Sequence, residues 1–321
     1  VPKLLPTPTQ FQHLFSVFPE TSDQIMKIAQ WGKGYPTDIE WSPDGSFLAV
    51  STSIGTYFLH ENTLEEFLFL ESDSEVTSIE FTPDGTMIAL SGCKSYDLNL
   101  VCNWSWIKLI EIKTGTEIHS FDPGPRNHPF LRFSPTGEYL IAAGCNAERG
   151  PGVHCIEGKI SVWDVTSGKT IHEFVGHGGR VNDISFSPKG NLMASSSGGN
   201  WWVRQPSSVI IWDMNTGERM LTITEGEHVS FNSVNFDQTG KVLITDNSDE
   251  QIAFFDANNG ELLDKVQVSN KGKIAELFLQ YLPVNSIIIY EDNEALQIWD
   301  ETGKLHTRLS MPLNSFGVSV S

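Results

Sequence analysis

Gly168-Lys169-Thr170 has the ending of a phosphate-binding loop, in which backbone amides cradle the phosphate and the lysine neutralises it. That loop needs a glycine five residues before Gly168, and Trp163 stands there, so the fragment reads as a turn. The chain carries no G-x-S-x-G nucleophile elbow, no H-E-x-x-H zinc helix and no D-x-D-x-D-G calcium loop. No catalytic residue, metal or cofactor is expected. The residues suited to recognition are Trp104, Arg149, His154, Trp201, Trp202 and Arg204. Tryptophan and arginine combine large contact area with directional hydrogen bonding, and they dominate binding hot spots. Trp201 and Trp202 are adjacent, so both cannot point inward on one strand. Trp106 is expected to begin a strand and join the core.

The elements that would hold these side chains repeat along the chain. One landmark is an aromatic residue followed by a tight turn: Trp41-Ser42-Pro43-Asp44-Gly45, Phe81-Thr82-Pro83-Asp84-Gly85, Phe133-Ser134-Pro135-Thr136-Gly137 and Phe186-Ser187-Pro188-Lys189-Gly190. Phe236-Asp237-Gln238-Thr239-Gly240 and Tyr281-Leu282-Pro283-Val284-Asn285 are weaker copies. Proline presets φ and glycine or asparagine accepts the positive φ that closes the turn, so each copy reverses the chain between two strands. A second landmark alternates with it: Trp163-Asp164, Trp212-Asp213, Phe255-Asp256 and Trp299-Asp300, each followed by a corner ending in glycine. Those glycines, 168, 217, 260 and 303, recur at 49, 43 and 43 residues. Between the landmarks lie β-branched and aromatic runs too short for helices, such as Val209–Trp212. Each unit therefore reads as four strands, a to d.

The Ser-Pro-Asp-Gly turns, the Trp-Asp ends of strand c, and Gly176-His177 before Val181-Asn182-Asp183-Ile184 resemble the WD-repeat family over about residues 25–321. The resemblance implies an all-β propeller of four-stranded antiparallel blades. It makes Trp163, Asp164, Trp212, Asp213, Trp299 and Asp300 structural, and His177 a hydrogen-bonder to blade 4. The polar tetrad of the family is expected to be incomplete, because most blades lack its Gly-His and its loop Asp. Six complete units fit between Tyr35 and Ser310. Residues 26–31 and 316–321 read as strands d and a of a seventh, incomplete closing blade. A six-bladed ring is the alternative. Residues 1–24 are expected to form a linker or a tail packed on the surface, and both the start at Val1 and the end in mid-blade suggest a longer parent chain.

Cys93 and Cys102 fall in the b–c segment of blade 2, and Cys145 and Cys155 in that of blade 3. Four cysteines allow three pairings, and the shared hairpins favour Cys93–Cys102 with Cys145–Cys155. Two disulfides would place the protein outside the cytosol, secreted or at the cell surface. Reduced thiols in a cytoplasmic protein are the alternative. The first landmark's wider spacing puts extra residues in the b–c loops of blades 2, 3 and 4. In the resembled family these share one rim, which gathers the Trp/Arg set there.

The net charge of −19 repels phosphate backbones, which argues against nucleic acid, and no apolar run is long enough to span a bilayer. Asp246, Asp249 and Glu250, like Glu291, Asp292 and Glu294, read as solvated loop carboxylates. The expected function is a non-catalytic scaffold holding a protein or peptide on the b–c rim. A glycan or small-ligand receptor is the alternative. A propeller enzyme is the weaker one, since it would need polar residues converging on the axis and none stands out.

Overall fold

The structure, a computed structural model, describes residues 34–96, 102–123, 130–149, 154–198, 206–224, 229–249, 251–267, 278–282, 287–291, 295–300 and 305–310. Beyond residue 277, and at 103, 147–149 and 154, the description is of the backbone alone. The N-terminal tail and both candidate strands of the closing blade lie outside these residues.

Among the described residues, six four-stranded antiparallel sheets follow one another along the chain. Blade 1 is β1 (Pro36–Trp41), β2 (Phe47–Thr52), β3 (Gly55–His60) and β4 (Glu66–Glu71). Blade 2 is β5 (Val76–Phe81), β6 (Met87–Tyr96), β7 (Cys102–Glu111) and β8 (Thr116–Phe121). Blade 3 is β9 (Phe130–Phe133), β10 (Tyr139–Arg149), β11 (His154–Asp164) and β12 (Thr170–His177). Blade 4 is β13 (Val181–Phe186), β14 (Leu192–Ser197), β15 (Ser208–Asp213) and β16 (Arg219–Thr224). Blade 5 is β17 (Phe231–Phe236), β18 (Val242–Asn247), β19 (Gln251–Asp256) and β20 (Leu262–Gln267). Blade 6 is β21 (Phe278–Leu282), β22 (Ile287–Glu291), β23 (Ala295–Asp300) and β24 (Leu305–Ser310). No helix occurs among the described residues.

Each strand alternates its side chains between two faces, and each face packs on a different neighbour. Ala49 and Phe58 of blade 1 join Ile79, Phe81 and Ile88 of blade 2 in one core. Ala89, Ile107 and Leu109, facing the other way, join Leu131, Leu140 and Trp163 of blade 3. The pattern repeats between blades 3 and 4 and between blades 4 and 5. A single sheet would leave two apolar faces in water. Stacking buries both, and this is what drives the repeat to assemble. Consecutive first strands β1 and β5, β5 and β9, β13 and β17, and β17 and β21 lie side by side, which sets them around a common axis.

The aromatic–turn landmark works as its residue types require. Asp44 accepts hydrogen bonds from Ser42 Oγ at 2.7 Å and from the Ser46 amide at 3.0 Å, while the Ser42 hydroxyl receives the Phe47 amide at 3.1 Å. Gly85, at φ +68°, closes the equivalent turn in blade 2, and a Cβ there would meet Pro43 of the preceding turn at 3.5 Å. The a–b turns of neighbouring blades thus nest proline against glycine. At the Trp-Asp corners, Asp213 Oδ1 accepts the Asn215 and Thr216 amides, fixing the reversal into the outer strand.

Candidate functional site

Two hairpins break the blade pattern. Strands b and c have six residues in blades 1, 4 and 5, but ten each in blade 2 and eleven each in blade 3. The extra residues of blades 2 and 3, expected as loops, continue the ladder as β-hairpins. The cysteines accordingly lie within strands. Cys93 is bonded to Cys102, and Cys145 to Cys155. Each bridge sits where the register slips, between Cys93 and Tyr96 in one hairpin and between Cys145 and Glu148 in the other. Blade 4 keeps short b and c strands, and its Trp201, Trp202 and Arg204 fall outside the described residues.

Trp104 and Trp106 share β7 with opposite fates. Trp106 pairs with Gly92, is buried, and donates its indole N–H to Ser74 Oγ at 2.9 Å. It belongs to the core, as its position implied. Trp104 pairs with Ser95 and is 60% exposed. Beside this hairpin Tyr96 donates to Glu75 at 2.5 Å, and Tyr35, 59% exposed, also bonds Glu75. Burial and the bonded Glu75 carboxylate push the Tyr96 phenol pKa upward, and the same carboxylate raises that of Tyr35. Ile54, in the b–c turn of blade 1, is exposed on the same rim. Sequence reasoning missed Tyr35, Ile54 and Tyr96, whose only signal was their position at strand ends on this rim. Arg149 and His154 face each other across the tip of the blade 3 hairpin, by backbone register.

His177 is buried between Ser208 Oγ at 2.8 Å and Ser195 Oγ at 2.6 Å, and Trp212 Nε1 donates to the same Ser195 oxygen at 2.8 Å. Trp163 packs on Phe121 of the preceding blade, with ring centroids 5.2 Å apart, while Asp164 receives the Ser167 amide at 2.7 Å. Trp299 and Asp300 end β23.

The axis holds what the sequence did not disclose. The residue before the last aromatic of strand a is Glu40, Glu80, Arg132, Ser185 and Asn235 in blades 1 to 5, and all five line a cavity of about 390 Å³. Glu40, Glu80 and Ser185 lace their blades to the next. Glu40 accepts the Phe81 amide, Glu80 the Phe133 amide, and Ser185 Oγ the Phe236 amide at 3.0 Å. Two residues deeper, Asp38 accepts the Ile79 amide at 2.9 Å and Asp183 the Val234 amide at 3.1 Å. Arg132 Nη1 lies 3.0 Å from Glu80, and Nη2 3.7 Å from Asp183. Burial raises the carboxyl pKa of Asp38, Glu40, Glu80 and Asp183. Burial also opposes the Arg132 charge, but Glu80, Asp183, Glu40 and Asp38 outweigh it and keep the guanidinium protonated.

Asp246 corrects an expectation. It is not a solvated loop carboxylate: β18 runs through it, and it is fully buried. It accepts the Ser233 amide at 2.8 Å, the Ser233 hydroxyl, and Asn232 Nδ2 at 3.2 Å. Burial pushes its carboxyl up to about 6 against those lowering bonds.

The family model described as "WD domain, G-beta repeat" matches residues 66–101 and 168–213. Each match starts at or just before the outer strand of one blade and runs into the next, so the repeat is offset by a strand from the blade. Human Pre-mRNA-processing factor 17 is 29% identical over 210 residues, 63% of this chain and 33% of that protein. The uncharacterized WD repeat-containing protein sll1491 of Synechocystis is 27% identical over 47% of this chain and 35% of its own length. Cross-pathway control WD-repeat protein 2 of Flammulina velutipes is 25% identical over 44% and 33% respectively. The chain thus spans about a third of the length of these relatives. The stacked antiparallel four-stranded sheets, the paired landmarks and these matches define a β-propeller with similarity to WD repeats.

Proposed function

We propose that the protein is a non-catalytic scaffold that holds a protein or peptide partner on the b–c rim of blades 2 and 3. The observation that carries this is the pair of disulfide-tied hairpins rising from that rim, one presenting Trp104 exposed beside Tyr96 and Tyr35. A hairpin held at its base loses little entropy on binding, and a large exposed aromatic gains most from burial. The WD-repeat relatives support a scaffold in general. The name of Pre-mRNA-processing factor 17 places that protein in RNA processing. The net charge of −19 disfavours direct RNA contact by this chain. The two disulfides support maturation in an oxidising compartment.

Affinity capture with the full chain tests this, using Trp104→Ala and, as a control on an outer strand, Met220→Ala. The expected result is a partner retained by the control and weakened roughly 30-fold by Trp104→Ala, the scale of one hot-spot residue. Capture that is indifferent to Trp104 would overturn the rim assignment.

A further inference from the structure

Four carboxylates stand on the first strands of the blades, Asp38 and Glu40 on β1, Glu80 on β5 and Asp183 on β13, and one guanidinium, Arg132 on β9, faces all four. Fully ionised, the set would hold four negative charges against one positive where little water reaches. Keeping a carboxyl neutral costs less than that. The compensation is uneven. Asp38 accepts the Ile39 amide at 2.8 Å and the Ile79 amide at 2.9 Å. Asp183 accepts the Ile184 amide at 2.8 Å and the Val234 amide at 3.1 Å, with Arg132 Nη2 at 3.7 Å. Glu80 accepts the Phe133 amide and an Arg132 N–H at 3.0 Å. Glu40 accepts the Phe81 amide, but its Oε2 reaches essentially no solvent and has no hydrogen-bond partner among the described residues. An ionised oxygen left so is the costliest of the set. The charged groups that face Glu40 are Glu80 on the next blade, Asp38 on its own strand and Arg132. Ala49, opposite it on β2, carries no charge.

We propose that Glu40 carries a proton while the protein is folded at neutral pH, and that this proton locks the seam between blades 1 and 2. Its loss would set an unbonded carboxylate oxygen against Glu80 and Asp38. That repulsion acts across the seam that Asp38 and Glu40 hold through the Ile79 and Phe81 amides, and Thr37 Oγ1 through the Val76 carbonyl. Glu80, bonded to the guanidinium, is the better placed of the two glutamates to keep its charge. Burial, with Glu80 and Asp38 close by, raises the Glu40 carboxyl well above the usual carboxylate range. A carboxyl that holds its proton more tightly folded than unfolded stabilises the fold fully below its unfolded value, and that stability is lost as pH rises through the folded one. Mild base, and not acid, therefore loosens this seam.

The test is infrared spectroscopy of the intact protein in water and in D2O at pH 7, wild type against Glu40→Gln. The wild type should show the carbonyl stretch of a protonated carboxyl, shifted in D2O, that Glu40→Gln lacks. Raising the pH should abolish that band. Over the same range hydrogen exchange, corrected for the intrinsic effect of pH, should rise at the Ile79 and Phe81 amides. In Glu80→Gln the facing charge is gone, so the band should fade at lower pH than in the wild type. Urea unfolding gives a second readout. Relative to Glu40→Gln, the wild-type unfolding constant should rise by up to about tenfold per pH unit between pH 6 and pH 8. Asp246, present in both proteins, cancels in that ratio. The proposal is overturned by the lack of a Glu40-dependent band at pH 7, by parallel pH dependence of the two proteins, or by Ile79 and Phe81 amides that stay protected once the band is lost. Should Glu40→Gln fail to fold, a band whose pH midpoint is the same in wild type and Glu80→Gln overturns it as well.

Discussion

His177 Nε2 lies 2.6 Å from Ser195 Oγ, and that same oxygen receives the indole N–H of Trp212 at 2.8 Å. The other ring nitrogen, Nδ1, lies 2.8 Å from Ser208 Oγ, so both imidazole nitrogens are held by serine hydroxyls. Burial keeps this imidazole neutral. Trp212, Ser195, His177 and Ser208 thus form one continuous hydrogen-bonded chain across blade 4.

Acid should loosen this tie. Burial, helped by the nearby Arg219 charge, holds the His177 pKa down to about 3, while the unfolded chain takes up its proton near 6.5. Stability from the neutral ring is complete above pH 6.5 and is lost as pH falls toward 3, by up to about 5 kcal/mol. Urea unfolding between pH 7 and 4 should show that decline. In His177→Gln the slope should flatten, with lower stability at pH 7. An unchanged slope would place the acid sensitivity elsewhere.

Asp246 should act in the opposite sense. Its folded pKa of about 6 exceeds the ordinary 3.8, so its contribution is complete below pH 3.8 and is lost as pH rises through 6. Asp246→Asn removes the buried charge and keeps an acceptor for the Ser233 amide. Relative to wild type, the variant should gain up to about 3 kcal/mol between pH 4 and pH 7. Equal pH dependence of the two denaturant midpoints would contradict this.

The blades were legible because each repeated landmark encodes its own turn. Ser42, Asp44 and Gly45 satisfy one another's backbone needs within six residues, so type and spacing suffice. The axial set was not legible for the converse reason. Glu40, Glu80 and Arg132 lie some 40 to 50 residues apart and mean nothing together until stacking turns the same face of each first strand toward one line. Asp246 was misread because Asp-Asn-Ser-Asp looks like a turn, whereas the ladder carries on to Asn247. The hairpins fall between: the inserted length was visible, but not that it would pair.

The two disulfides close short loops, with partners 9 and 10 residues apart. Chain-entropy arguments give each about 2.5–3 kcal/mol. The constraint falls on the projecting hairpins, which share little with the cores between blades. Reduction should therefore raise hydrogen exchange mainly at residues 93–96, 102–105, 145–149 and 154–158, and lower the melting temperature by a few degrees. Exchange rising evenly through β2 and β14 would instead show that the bridges stabilise the propeller as a whole.

Gly92 decides whether Trp106 stays inside. A Cβ at Gly92 would sit 2.1 Å from the Glu75 carbonyl oxygen and 2.5 Å from the Trp106 ring, closer than atoms approach. Neither neighbour can easily yield: the Glu75 carbonyl receives the Cys93 amide, and the Trp106 indole is bonded to Ser74. Gly92→Ala should therefore cost about 1–3 kcal/mol, as overpacked cores do, and should move Trp106 toward water. Trp104→Ala, two residues from Trp106 and toward the hairpin tip, should change stability by less than about 0.5 kcal/mol, because that ring is already exposed. Because the chain holds nine tryptophans, the fluorescence of Gly92→Ala is compared with that of Gly92→Ala, Trp106→Phe, and the difference reports position 106. A red shift at no loss of stability would mean that the indole leaves freely, and that its bond to Ser74 does not anchor the hairpin.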